Sequence, residues 1–205
     1  PAMVEVSVVD GVASPIQFKA LLGGEQVYPG KWWVDYGQLG LIDTEGKLTP
    51  SGKMGGLLKV YAEYDKVETS AIVKIRFEQR VDTAGIDDAT KKLLEAGGTP
   101  DPNTTWTYPY DGTVFPKGLA APELMWNGAE AGDLYFAHFK SEYLDYGVYF
   151  KSDVPARFKI STNGWTAVSE SSMGNPTDMK VTRLPEKAKE ATVVADHDWT
   201  IARSR

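Results

Sequence analysis

Apolar residues in this chain recur at every second position, in short runs separated by glycine or proline. That alternation is the strongest constraint on the fold. A period of two sends successive side chains to opposite faces, so each run needs a second layer to cover its apolar side. Val4, Val6 and Val8 alternate with Glu5 and Ser7, and Ile16, Phe18 and Ala20 alternate with Gln17 and Lys19. Ala71, Val73, Ile75 and Phe77 alternate with Ile72, Lys74 and Arg76. The breaks have turn chemistry. Gly23-Gly24 ends the second run, and Asp43-Thr44-Glu45-Gly46 reads as a turn closed by a glycine with positive φ. Asp65-Lys66 separates Leu57 to Tyr64 from Thr69 to Phe77, a hairpin. With 20 Gly and 12 Pro the chain is too broken for a helix-dominated protein. Six or seven strands in about 75 residues predict an antiparallel sandwich. Val27 to Tyr36 carries Trp32-Trp33-Val34. Trp33 is expected as the core ring between the sheets, which sends Trp32 to the other face. There a neighbouring domain or loop covers it, the favoured reading, or it binds a sugar or a partner.

One short helix follows. Ile86, Ala89, Leu93 and Leu94 have helical spacing, Asp87-Asp88 precedes Lys91-Lys92 in the order a helix dipole favours, and Gly97-Gly98 with Pro100 and Pro102 ends it. So short a helix is marginal alone, and its apolar stripe should dock on a domain. Strand patterns then return over Leu134 to Phe139, Tyr146 to Phe150, Ala156 to Ile160, Trp165 to Ser169 and Met179 to Leu184, with Asn163-Gly164 read as a hairpin turn. Pro109, Pro116, Pro122, Pro155 and Pro185 mark the joints. Trp126 is expected at the centre of this second core. The fold class predicted is all-β: two antiparallel β-sandwich domains, residues 1–80 and 105–205, with a helical connector over 81–104.

The titratable residues limit the chemistry. Cysteine is absent, which removes disulfides, thiolate catalysis and thiolate metal sites. The two histidines, His138 in a strand and His197 in Asp196-His197-Asp198, have no metal-ligand spacing, and the latter reads as an exposed polar turn. No metal site and no cofactor are expected. The acidic pair Asp87-Asp88 does not complete a calcium loop. Asp111, Glu123, Asp133 and Glu142 are the carboxylates a glycosidase-like pair would draw on, but surface acidity is the default reading. No nucleophile elbow or phosphate-cradling glycine loop is present. The net charge of -6 argues against nucleic acid as a partner, and no apolar run approaches the roughly 20 residues of a spanning helix. No signal-peptide pattern opens the chain, so any targeting segment has been removed or never existed. Asn103-Thr104-Thr105 is a glycosylation sequon only in a glycosylating host. The rings Tyr135, Phe136, Phe139, Tyr143, Tyr146, Tyr149, Phe150 and Trp165 form a dense aromatic series. Half of any alternating strand faces outward, so Tyr143 and Tyr146, with Trp32, are the candidate exposed binding rings, against core packing as the commoner use.

Two stretches carry resemblances. Trp33-Val34-Asp35, Gly40 to Thr49 and Gly55-Gly56-Leu57-Leu58-Lys59-Val60-Tyr61-Ala62-Glu63-Tyr64 together resemble the bacterial Ig-like group 2 domain over residues 4–77. In that family a Trp strand leads to an Ile-Asp…Gly…Thr turn and then to a Val-x-Ala-x-Tyr strand. Tyr36-Gly37 replaces the polar residues usual after the Trp strand. The resemblance implies a spacer or adhesive module of secreted and cell-surface proteins, with no shared active site. Tyr108-Pro109-Tyr110-Asp111-Gly112-Thr113-Val114-Phe115-Pro116, followed by Pro122-Glu123-Leu124-Met125-Trp126, is similar to a segment of large surface lipoproteins of myxobacteria and related bacteria. The wider pattern of residues 105–185 resembles a fibronectin type III-like sandwich. Asp198 to Ala202 resembles the start of a further segment, which implies a fragment or an early stop. The expected role is a non-enzymatic extracellular module, a spacer, adhesive or interaction domain of a bacterial envelope protein at the extracellular or outer-membrane surface. Its partner would be a protein or a glycan, and any lipid anchor would lie outside this segment. The alternatives are a carbohydrate-binding module and accessory domains of a secreted hydrolase.

Overall fold

The computed structural model describes residues 3–152, 154–172 and 174–203. The chain is all-β with two short helices and forms two compact units, residues 1–78 and 79–205.

In the first unit, β1 (Met3–Val9), β2 (Ile16–Gln17), β3 (Ala20–Leu22), β4 (Glu25–Val27), β5 (Lys31–Val34), β6 (Gly40–Ile42), β7 (Lys47–Pro50), β8 (Gly56–Tyr64) and β9 (Val67–Asp82) follow in order. β5 and β9 flank β8 in one sheet, with β1 parallel to β9. β2, β7 and β6 form a second sheet, and β3 with β4 a separate hairpin. β8 and β9 close around Asp65-Lys66, both at positive φ, with Tyr64 paired to Val67. This two-residue loop suits the twist of the strands it joins. Burial follows the period of two. Leu58, Val60, Val73 and Ile75 of the large sheet and Leu48 of the small one are at most 2% exposed. Complete burial of a Leu or Ile contributes about 1.5–3 kcal/mol.

The tryptophan pair is inverted relative to the sequence reading. Trp32 lies across the ladder from Ala62, which is buried, so Trp32 faces inward. Trp33 lies across from Tyr61, stacks on it at 5.2 Å, and carries the Lys31 ammonium over its ring at 4.7 Å. Adjacency fixes that the two rings diverge; which one enters the core depends on the pairing of β5 with β8.

The second unit begins with the last residues of β9 and adds α1 (Asp88–Ala96), β10 (Thr105–Tyr108), β11 (Val114–Phe115), β12 (Glu123–Asn127), β13 (Leu134–Ser141), β14 (Leu144–Lys151), β15 (Ala156–Lys159), α2 (Thr162–Ser172), β16 (Pro176–Leu184) and β17 (Thr192–Ile201). Its main sheet runs β11-β17-β16-β13-β14, and residues 79–82 of β9 lie beyond β14. β10, β12 and β15 form a smaller sheet. The sheets are mixed rather than purely antiparallel, since β11 runs parallel to β17. Trp126 is 1% exposed, with its ring edge-on to Tyr135 at 5.0 Å and stacked on Trp106 at 5.7 Å.

Residues 79–104 pack into this unit. Asp87 caps α1 by accepting from the Ala89 and Thr90 N–H groups, and Gly97 ends it. Leu94 is fully buried in a cluster with Ile86, Phe136, Tyr149 and Leu184, and its carbonyl accepts from the Thr182 hydroxyl at 2.7 Å.

Two further expectations are corrected. Residues 165–169 are not a strand. Asn163-Gly164 lies in the first turn of α2, which the Ser161 hydroxyl caps by accepting from the Gly164 N–H at 3.1 Å. Gly164 is required by proximity: a Cβ there would stand 2.3 Å from the Tyr146 hydroxyl. Asp196-His197-Asp198 is not a turn but lies within β17, opposite Met179 and its neighbours in β16.

Candidate functional site

The first unit has a cleft of about 530 Å³ beside Trp32. It is assembled from a turn, an indole and a short hairpin. Asp43 organises the turn, its Oδ1 accepting from the Glu45 and Lys47 N–H groups at 2.9 Å each. Gly46 sits at φ +80, where side chains are strained. A Cβ on it would meet the six-membered ring of Trp32 at 2.9 Å, so the turn backbone lies directly against the indole. The Gly46 carbonyl accepts from the Phe18 N–H at 2.8 Å, and the Gln17 side-chain amide donates to the Glu45 carbonyl at 2.7 Å. These contacts tie the 43–47 turn to the chain entering β3.

The floor of the cleft is apolar, with Phe18, Ala20, Val27, Pro29 and Trp32, and its rim carries amide, hydroxyl and charged groups. A second recess of about 290 Å³ shares Trp32 and is lined by Val60, Ala62, Thr69 and Ala71 of the large sheet. These side chains are short, and short side chains facing a hairpin leave space that Leu or Phe would fill. The alternation that marks these strands as half-buried records polarity, not volume, so the sequence signal for the recess is the run of small residues at inward positions.

Of the three candidate binding rings, Trp32 borders an opening. It is half-buried and lines both recesses. Tyr143 and Tyr146 are buried, at 5% and 2% exposure, so the sequence expectation of exposed rings is corrected for both. Tyr143 lies in the β13–β14 turn, and Tyr146 is buried because β14 is covered on both faces. α1 lies over Tyr149 and Phe136, while α2 lies on the opposite side, where Gly164 meets Tyr146. Burial raises the Tyr146 hydroxyl above its ordinary value. The most exposed rings that sequence reasoning passed over, among the described residues, are Tyr28, at 80%, and Tyr110, at 71%. Tyr28 borders the Trp32 cleft and follows the edge strand β4, outside any alternating run.

Several ionisable groups of the second unit are engaged in ion-pair and hydrogen-bond networks. Arg183, 3% exposed, donates from Nε to Asp133 at 2.7 Å and from Nη1 to Asp101 at 3.0 Å. Burial pushes the Asp101 carboxyl up. The Asn103 N–H, the Thr192 hydroxyl and the Arg183 guanidinium outweigh it and hold the group below the usual carboxylate range. Asp145 bridges the His138 imidazole at 2.8 Å and Arg80 at 2.7 Å, and these partners depress it strongly despite its burial. Glu95 accepts from both Tyr149 and Arg80. The four carboxylates weighed for catalysis belong to separate local structures. Asp111 accepts from the Asp198 N–H, Glu123 pairs with Arg157 at 3.2 Å, Asp133 serves Arg183, and Glu142 lies in the β13–β14 turn. Among the described residues no group of three potential ligands is placed to hold a metal ion, and no helix is long and apolar enough to cross a membrane.

No protein-family model matches the chain, and no curated protein matches it. Among solved structures, the chain is similar to extracellular domains 3–5 of Drosophila OTK, with a TM-score of 0.28, 9% identity, and coverage of 98% of this chain and 59% of that one. Immunoglobulin domains 1–4 of Sidekick-1 give a TM-score of 0.25 at 11% identity, covering 98% of this chain and 49% of that one. The S-layer protein rSbsC gives 0.22 at 10% identity, covering 88% and 22%. This chain therefore spans about half the length of the first two.

Proposed function

We propose that this chain is a non-enzymatic interaction module of a bacterial cell-surface protein, and that it engages its partner through the first unit at the Trp32 cleft. The observation that carries this reading is the cleft itself: an indole braced by the Gly46 turn beside an open recess within the range of about 300–1,000 Å³ usual for ligand sites. The Ig-like group 2 pattern of residues 33–64 and the lipoprotein-like stretch 108–126 support a place on the extracellular or outer-membrane surface, with any lipid anchor outside this segment. The two compact units, with residues 79–104 packed into the second in place of the expected connector, fit the same reading, with the second acting as a spacer. The test is binding of the labelled whole chain to intact bacterial cells and to isolated envelope. Saturable binding that falls at least about threefold on Gln26→Ala or Trp32→Ala supports the proposal. Binding untouched by both variants removes the cleft from it.

The carbohydrate-binding alternative has a specific observation in its favour, namely the polar rim around an aromatic floor.

A further inference from the structure

Resting on that reading, we infer that the Trp32 cleft takes a neutral saccharide. Three features of its wall select this ligand class. The charged side chains at the rim are Lys19 and Glu45, one of each sign, so the cleft favours neither an anionic nor a cationic ligand. The uncharged polar side chains are Gln17, Gln26, Tyr28 and Thr44, and the Gln17 amide nitrogen already donates to the Phe18 and Glu45 carbonyls, so Gln17 offers a ligand its oxygen. Amides and hydroxyls both donate and accept, which matches the double character of sugar hydroxyls. The floor supplies the third feature. A pyranose has an apolar face of C–H groups, and a planar indole buries that face with little entropy cost. Trp32 is held by the backbone of Gly46, so the platform is fixed before any ligand arrives, which lowers the cost of binding.

A purely apolar ligand fits less well, because it would strip water from the Gln17, Gln26 and Thr44 groups without replacing their hydrogen bonds. A small neutral sugar unit replaces those bonds and still covers the indole.

The experiment uses the whole chain and three soluble probes: β-1,4-linked hexasaccharides of glucose, mannose and N-acetylglucosamine. Binding is measured by calorimetry and by backbone amide shifts, and a broad array of neutral glycans extends the panel. The expected result is saturable binding of at least one neutral glycan, with shifts confined to residues 17–20, 26–32 and 43–47. Trp32→Ala weakens it about tenfold and Gln26→Ala about threefold to tenfold, with circular dichroism unchanged. Should Trp32→Ala unfold the unit, Gln26→Ala and Thr44→Ala carry the test, since both positions are exposed. Shifts that map away from the cleft overturn the inference, as does the absence of binding by every neutral glycan tried. If no glycan binds but attachment to cells still depends on Gln26 and Trp32, the saccharide assignment fails and the interaction reading stands. If attachment ignores both residues as well, both fail.

Discussion

At the scale of the residue, close approach explains more than conformational freedom does. Gly46 combines the two. Gly46→Ala places a methyl on a positive φ, 2.9 Å from the Trp32 ring and 3.1 Å from the Phe18 carbonyl oxygen, so the ring or the turn must shift. The expected cost is about 1–3 kcal/mol of stability, with loss of the cleft geometry, read by chemical denaturation and by shifts of the Trp32 indole resonance. Gly164 is a case of proximity alone. Gly164→Ala forces a methyl toward the buried Tyr146 hydroxyl and should destabilise by about 1–3 kcal/mol. Tyr146→Phe removes the obstructing oxygen, so the double variant should recover part of that loss. A cycle that is strictly additive would show that the contact is not the cause. The same residues mark the limit of what was legible. The turn at Asp43 to Gly46 was readable because Asp and Gly each have a local reason to be there. Asn163-Gly164 carries the same kind of signal, yet its glycine answers to a tyrosine eighteen positions earlier in the chain, which no local pattern reports.

At the scale of the element, period decides type only when one face is covered. β8 and β9 alternate cleanly, and their place in a sandwich could be read directly. Trp165, Ala167 and Ser169 also alternate, but the buried set of α2 is Trp165, Val168 and Ser172 with Ala167 and Ser171, which is helical spacing. Two periods overlapped in one short segment, and the Ser161 cap settles it for the helix. β14 was misjudged for the opposite reason. Covered on both sides, it buries six residues of eight, so alternation gives no guide to which rings are exposed. Its cover can be tested. Leu94→Ala leaves a cavity in the cluster that holds α1 to Phe136 and Tyr149, at an expected cost of about 2–5 kcal/mol. Asp87→Ala removes only the cap and should cost about 1 kcal/mol. Hydrogen exchange in residues 88–96 should rise in both, and a larger effect from the cap than from Leu94 would contradict the packing account.

At the scale of the whole molecule, the carboxylates set opposing pH trends, and their signs differ for stated reasons. Asp145 is held down by His138 and Arg80, Asp82 by Lys91 and three backbone N–H groups against its desolvation, and Asp101 by its N–H, hydroxyl and guanidinium partners. A folded-state value below the unfolded one, near 3.9, means a contribution complete above about pH 5 that is lost as pH falls through the folded value. Stability should therefore drop steeply below about pH 4. Asp178 runs the other way. Desolvation raises it, and it stands directly across the ladder from Asp198, with Asp196 adding repulsion and Lys140 only partly offsetting it. A raised folded-state value favours folding while the group is protonated, and that advantage is lost as pH rises through it. Asp178→Asn removes the repulsion at neutral pH while keeping shape and polarity. It should raise the melting temperature at pH 7 and leave it nearly unchanged at pH 3, where the wild-type group is already neutral. Asp145→Asn should do the reverse, lowering stability at pH 7 and flattening the acid limb. Melting curves of the three proteins between pH 3 and pH 8 decide the matter: an Asp178→Asn gain that is equal at both ends would mean that charge repulsion across the β16–β17 ladder is not its source.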